Sequence, residues 1–206
     1  SRGAETLKLL DPLFRGIKQG EDSEAALALA LTVYMGTEQW DGVEKLALRV
    51  QDWELTPKAR ESLEYAQALA YENMGQPEKS LALWQRLHGH ADLPLDKRAY
   101  MLYFLARAAK AENDLENAYF MSRDALRGFL ELAENDPKSA DTMKIKDTLI
   151  TLMDIAERAG RTQEALEWAG QYRQYINPGD EEYPAMQYRF ARLYKKTGAV
   201  NQWAAI

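Results

Sequence analysis

The chain contains no cysteine, only two histidines, and no apolar run approaching the roughly 20 residues that a membrane-spanning helix needs. Without cysteine, disulfides, thiolate zinc sites, iron–sulfur ligation and cysteine nucleophiles are all excluded. The longest apolar-rich stretch, Ala25 to Met35, is short and is interrupted by Thr32. No segment alternates β-branched and polar residues with period two, so no sheet is expected. No phosphate-cradling glycine loop and no His-Glu-x-x-His helix occurs. The histidines, His88 and His90, flank Gly89 with Asp92 nearby, and a structural zinc site wants four ligands. This pair therefore reads as an exposed turn. Acidic neighbours such as Glu181 and Glu182 sit in a turn-like stretch beside Pro178 and Gly179, not as opposed carboxylates. The expectation is a non-enzymatic protein with no metal and no cofactor.

Excess positive charge is also lacking. The net charge is −6, which argues against broad nucleic-acid binding. No stretch near Ser1 combines a basic start, an apolar middle and a small-residue cleavage site. The absence of cysteine leans slightly towards an exported protein, with periplasm and cytoplasm both left open. The final residues Trp203 to Ile206 fall within an expected helix, which suggests a fragment of a longer protein.

What the chain does have is a repeat. Five turns resemble one another, at Glu38, Gly75, Asn113, Gly160 and Gly198, spaced 37, 38, 47 and 38 residues apart. Seven residues before them stand Leu31, Ala68, Ala106, Met153 and Ala191; five after stand Val43, Ser80, Ala118, Ala165 and Trp203. Apolar residues recur at spacings of three and four on both sides of each turn, as in Leu27, Leu31 and Tyr34. Glycine suits the left-handed turn that ends a helix, and asparagine is the next best residue there.

The punctuation predicts eleven helices. One, over 4–19, precedes the repeats. First helices fall near 24–36, 58–74, 95–112, 139–159 and 183–197; second helices fall near 40–52, 78–88, 115–134, 163–175 and from 200 onward. Thr56-Pro57 reads as an N-cap followed by proline at the first helical position, and Asp136-Pro137 and Ser23-Glu24 read similarly. The long interval holds nine extra residues, assigned to the second helix of the third hairpin and the first helix of the fourth. Trp84 and Trp168 are expected in the core, Trp40 sealing the first hairpin, and Trp53 partly exposed.

These residues resemble the tetratricopeptide repeat. The best-matching units are 64–87, with Ala68, Tyr71, Gly75, Ser80 and Trp84, and 149–172, with Leu152, Ala156, Gly160, Ala165 and Ala169. The string Phe190 to Gly198 is also typical. The intervals exceed the family's usual length, and Glu38 replaces the turn glycine of the first unit. The resemblance implies an all-α, right-handed α-solenoid of about five stacked hairpins with an N-terminal helix. Residues 1–206 would form one superhelical domain, with 1–22 the leading helix and 23–206 the repeats.

In proteins that resemble this one, first helices line a concave groove that binds peptides or protein segments. Ten residues before the turns stand Tyr65, Tyr103 and Tyr188, and six before stand Leu69, Arg107, Asp154 and Arg192. Three before stand Glu72, Lys110, Glu157 and Lys195, an alternation of sign that can pair between neighbouring hairpins. The candidate groove is therefore Tyr65, Leu69, Glu72, Tyr103, Arg107, Lys110, Asp154, Tyr188, Arg192 and Lys195. Tyrosine offers a large, rigid contact at small entropic cost, yet a tyrosine packed between hairpins has the same sequence signature. The family's clamp for a C-terminal carboxylate is not matched: its places hold Tyr65, Leu69, Phe104, Asp147 and Thr151, or one unit later Tyr103, Arg107, Thr151, Ala185 and Arg189. The basic run Arg189, Arg192, Lys195 and Lys196 reads as a solvated outer face.

The function expected is a scaffold that binds a protein or peptide segment in the groove. The alternative is a structural or oligomerisation module that assembles a larger complex, or stacks copies of itself, through its terminal helices.

Overall fold

All five turn residues adopt positive φ in the computed structural model: 57° at Glu38, 71° at Gly75, 62° at Asn113, 71° at Gly160 and 75° at Gly198. Each closes a first helix. At Gly75, its own N–H donates to the Glu72 carbonyl at 3.1 Å and the Gln76 N–H donates to the Tyr71 carbonyl at 2.8 Å. This satisfies carbonyls that the helix end would leave open. The same 2.8 Å bond recurs from Gln39 to Tyr34, Asp114 to Ala109 and Arg161 to Ala156. The chain then turns back at once, and the residue five beyond meets the preceding helix. Val43, Ser80, Ala118 and Ala165 all have no exposed surface.

The structure describes residues 12, 14, 16, 19, 20, 22–90 and 92–198. Among these the chain is all-α, with no strand. The helices are α1 (Ser23–Gly36), α2 (Trp40–Arg49), α3 (Pro57–Asn73), α4 (Pro77–His88), α5 (Leu95–Ala111), α6 (Leu115–Asn135), α7 (Thr142–Arg158), α8 (Thr162–Tyr172) and α9 (Tyr183–Lys196). Short 3-10 turns cover Pro137–Ser139 and Arg173–Tyr175. The expected second helix of the fifth hairpin, with Trp203, lies outside the described residues, as does most of the expected N-terminal helix. The chain forms two compact units, Ser1–Asp92 and Leu93–Ile206.

The first unit holds α1 to α4. Here α1 packs on α2 and α3, α2 packs on α3, and α3 packs on α4. Its core gathers Phe14, Leu27, Leu31, Tyr34, Val43, Leu46 and Leu63, with Trp40 and Trp53 half-buried against it. The Tyr34 ring lies so close over α2 that a Cβ on Gly42 would stand 2.6 Å from it. Trp84 is fully buried, edge-on to Tyr65 with centroids 5.6 Å apart. Its indole N–H donates to Glu72 at 3.3 Å, and the buried Ser80 hydroxyl donates to the same carboxylate.

The second unit holds α5 to α9, and each helix packs on the next in chain order. A Cβ on Gly128 of α6 would stand 2.9 Å from the Cβ of Ala99 on α5, so glycine lets these two helices approach closely. Phe129 fills the seam edge-on to Tyr100 and Tyr103, with centroids 5.2 and 6.2 Å apart. Burying one such side chain contributes about 1.5–3 kcal/mol.

The nine extra residues of the long interval are distributed differently from the expectation. α6 runs 21 residues, whereas α7 has 17, the same length as α3 and α5. The extra length lies in α6 and in the 3-10 turn that follows. Asp136 caps that turn through the Lys138 N–H, and the cap of α7 is Asp141, which accepts from the Lys144 N–H at 3.0 Å. Thr56 caps α3 as its sequence predicts, accepting from the Ala59 N–H at 3.3 Å. At α1 the N-cap is Asp22, without a side-chain bond, and the Ser23 hydroxyl turns back to donate to the Gly20 carbonyl. Trp84 is in the core as expected, while Trp168 is only half-buried.

Candidate protein-binding face of the second unit

Side chains from α5, α7 and α9 meet on one face of the second unit, held there by charge. Lys110 donates to Asp154 at 2.7 Å, and Asp154 also accepts from Arg189 at 2.7 Å. Arg189 also donates from Nε to Glu157 at 2.7 Å, and Glu157 accepts from Arg192 at 2.5 Å. Sign alternates along the whole chain of contacts. Arg189 and Glu157 are only 16% and 12% exposed, so these contacts lie in a lower dielectric than an ordinary surface pair. Burial opposes ionisation of Asp154, but the bond from Lys110 and the charges of Arg189 and Lys110 outweigh it. Its carboxyl is held below the usual aspartate value.

At the α5 end, hydrogen-bonded tyrosines join the same helices. Tyr100 donates to Asp141, and Tyr103 donates to Asp147 at 3.0 Å. Burial first, then the adjacent Asp147 charge, pushes the Tyr103 phenol up to about 12. Tyr100 is driven higher still, by burial and by its bond to Asp141. Both act as neutral donors at ordinary pH. Lys144 stands 4.5 Å from the centre of the Tyr103 ring.

Two adjoining clefts open on this face. One, of about 450 Å³, lies between α7 and α9 and is lined by Asp154, Glu157, Arg158, Tyr188, Arg189 and Arg192. The other, of about 440 Å³, lies between α5 and α7 and is lined by Tyr103, Arg107, Lys110, Asp147, Thr151 and Arg158. Arg158 belongs to both. It makes no ion pair among the described residues. Tyr188 is 73% exposed, among the most exposed large side chains described.

The sequence-predicted residues fall into two groups. Tyr103, Arg107, Lys110, Asp154, Tyr188 and Arg192 all line these clefts. Lys195 is exposed on α9 and lines neither. Tyr65, Leu69 and Glu72 lie in the first unit. There Tyr65 is 8% exposed and packs on Trp84, Leu69 is half-buried, and Glu72 holds Trp84 and Ser80. The three tyrosines of one register thus divide, with Tyr65 and Tyr103 buried and Tyr188 exposed.

Helix geometry explains the split. Tyr65 and Tyr103 stand three residues before Ala68 and Ala106, on the same side of helices with broad buried arcs. α9 buries only Met186, Phe190 and Leu193, and Tyr188 lies two residues from both Met186 and Phe190, on the opposite side.

The charge ladder is also offset from its expected pairing. Lys110 and Glu157 do not meet residues three before the next turn. They meet Asp154 and Arg192, which stand six before it. In the second unit the pairs therefore join positions three residues out of register, just under one helical turn. Arg189 and Arg192 accordingly serve as inter-helix clamps and not as a solvated outer face, while Lys195 and Lys196 are exposed. Sequence reasoning missed Arg158 and the role of Asp147. Opposite charges recurring 35 residues apart, Asp154 with Arg189 and Glu157 with Arg192, were the signal that could have found the lattice. Among the described residues no three His, Asp or Glu side chains gather as metal ligands, and no helix is long and apolar enough to cross a membrane.

No family model matches the sequence, and no curated protein matches it. Solved structures do. BtubC (BKLC) from P. vanneervenii superposes with a TM-score of 0.59 at 16% identity, covering 98% of this chain and 83% of that one. A singly substituted form of a kinesin light chain-like protein of Podosopora anserina, with nearly identical TPR-like repeats, gives 0.55 at 16% identity, covering 91% and 93%. A crystal structure of the unsubstituted protein gives 0.52 at the same identity and coverage. At this identity the likeness speaks to architecture, and the turns, the buried small residues and the paired helices agree with it. The chain has the fold of a TPR-like helical repeat.

Proposed function

We propose that the protein is an interaction scaffold and that the α5–α7–α9 face takes up a segment of a protein partner. The observation that carries this reading is Tyr188. A tyrosine 73% exposed on the wall of a cleft, flanked by arginines, leaves apolar area to be covered on binding. The clefts are fixed in shape by the ion-paired lattice beneath them, so little ordering is needed when a segment docks. Arg158 and Arg192 supply planar, charged donors around the tyrosine.

Selection of a random-peptide display library against the immobilised chain tests this. Peptides should be enriched over the bare support, and Tyr188→Ala, with unchanged helicity, should lose at least about tenfold in affinity for them, about 1.4 kcal/mol. No enrichment, or enriched peptides indifferent to Tyr188→Ala, would reject the face as the working surface.

A further inference from the structure

The charges of the two clefts do not balance. Five cationic side chains and three carboxylates line them, in a chain whose net charge is −6. Every one of those carboxylates is already engaged from within the unit. Asp147 accepts from Tyr103, Asp154 from Lys110 and Arg189, and Glu157 from Arg189 and Arg192. Asp154 and Glu157 are thus ion-paired, while Asp147 is held by a neutral phenol. Arg158 is the reverse case: exposed, without a carboxylate partner among the described residues, and shared by both clefts. A guanidinium offers a rigid fork of donors that matches a carboxylate edge to edge.

Resting on the face proposed above, we infer that the segment it takes is acidic: a stretch of polypeptide rich in aspartate or glutamate whose carboxylates meet Arg158 while a neighbouring side chain covers Tyr188. The excess positive charge concentrated here, on a protein negative overall, also steers such a segment to this face and away from the rest of the surface. A lysine or arginine entering either cleft meets the unpaired Arg158, which both clefts share, and is disfavoured there.

Three fluorescein-labelled peptides of equal length test the class. Each has glycine alternating with glutamate, glutamine or lysine, and a central phenylalanine; binding is read by fluorescence anisotropy at low and at high salt. The glutamate peptide should bind about tenfold tighter than the glutamine peptide and lose that advantage at high salt, while the lysine peptide should not bind. Arg158→Glu should abolish the preference and Arg158→Lys should keep most of it; the lysine variant should melt as the parent does, and the glutamate variant only slightly lower, because residue 158 closes the last turn of α7, where a negative charge opposes the helix dipole. Equal binding of the glutamate and glutamine peptides, both sensitive to Tyr188→Ala, would overturn the acidic class and leave the face standing. Failure of all three peptides, while library selection yields Tyr188-dependent binders, would do the same. Failure of the library as well would remove both proposals.

Discussion

In the first unit, the link between neighbouring first helices is a helix cap. Glu24 of α1 accepts from the Thr56 N–H at 2.6 Å and from its hydroxyl at 2.7 Å, at the N-cap of α3. Beside that contact lies a cleft of about 260 Å³ walled largely by Ala25, Ala28, Leu31 and Ala59. The second unit begins the same way, with Tyr100 of α5 reaching Asp141 at the N-cap of α7. It then adds the lattice of Lys110, Asp154, Arg189, Glu157 and Arg192. One repeat geometry thus supports a small apolar wall in one unit and a charged one in the other. The position five after each turn must be small or compact because it touches the preceding helix. Positions facing outward carry no such demand, and they are where the two units diverge.

The sharpest way to break this comparison is at the helix seams, where each unit uses one glycine. Gly128→Ala in the second unit forces a new Cβ against the Cβ of Ala99, an atom fixed to its backbone. Overpacking of this kind costs about 1–3 kcal/mol. Gly42→Ala in the first unit meets the ring of Tyr34, which can swing about its side-chain torsions and yield part of the strain. Chemical denaturation should therefore show Gly128→Ala as the more damaging of the two. Equal losses would mean that the backbone of α5 can shift as readily as a tyrosine ring.

Acid should separate the units next. Asp154 is depressed below its ordinary value in the folded state, so its contribution is complete above about pH 3.9, the unfolded value, and is lost as pH falls through the folded one. Hydrogen exchange followed from about pH 5 to about pH 2 should show protection in α7 and α9 falling in that window. Asp154→Asn should remove the drop there and leave the first unit unaltered. Glu24 is also held low, chiefly by the Thr56 N–H, so the first unit has its own acid-side loss, beginning nearer the ordinary glutamate value. High salt should weaken the Asp154 dependence more than the Glu24 one, because screening acts on ion pairs and not on a backbone cap.

Much of the architecture was legible because it rests on steric requirements of single residues. A left-handed turn wants glycine or asparagine, and a helix crossing wants Val43, Ser80, Ala118 or Ala165; both leave their mark in one sequence. The candidate face was legible only in part. Tyr103, Arg107, Lys110, Asp154, Tyr188 and Arg192 were found because they share offsets from the turns. Which way an aromatic turns depends on how wide an arc its helix buries, and that is set by neighbours, so Tyr65 and Tyr188 could not be told apart. The offset of three residues in the charge pairs of the second unit is likewise a property of packing, and it takes them out of the register in which they align in the sequence.

The smallest expected effect lies at the one turn that departs from the pattern. Glu38 holds a φ of 57° in a place where three of the other four turns have glycine. A side chain with Cβ in that region costs about 1–2 kcal/mol, whereas glycine loses only its larger unfolded-state freedom, about 0.5–1 kcal/mol. Glu38→Gly should therefore stabilise the first unit by up to about 1 kcal/mol, read as a rise in denaturation midpoint with an unchanged slope. Asn113→Gly is the control in the second unit. Asparagine tolerates the left-handed region better than glutamate, so the gain at φ 62° should be smaller. If Asn113→Gly gains more, the identity of the turn residue is not what limits the first unit. The offset would then have to come from contacts made by the Glu38 side chain, and Glu38→Ala, which keeps the strain and removes those contacts, would reveal it as a loss.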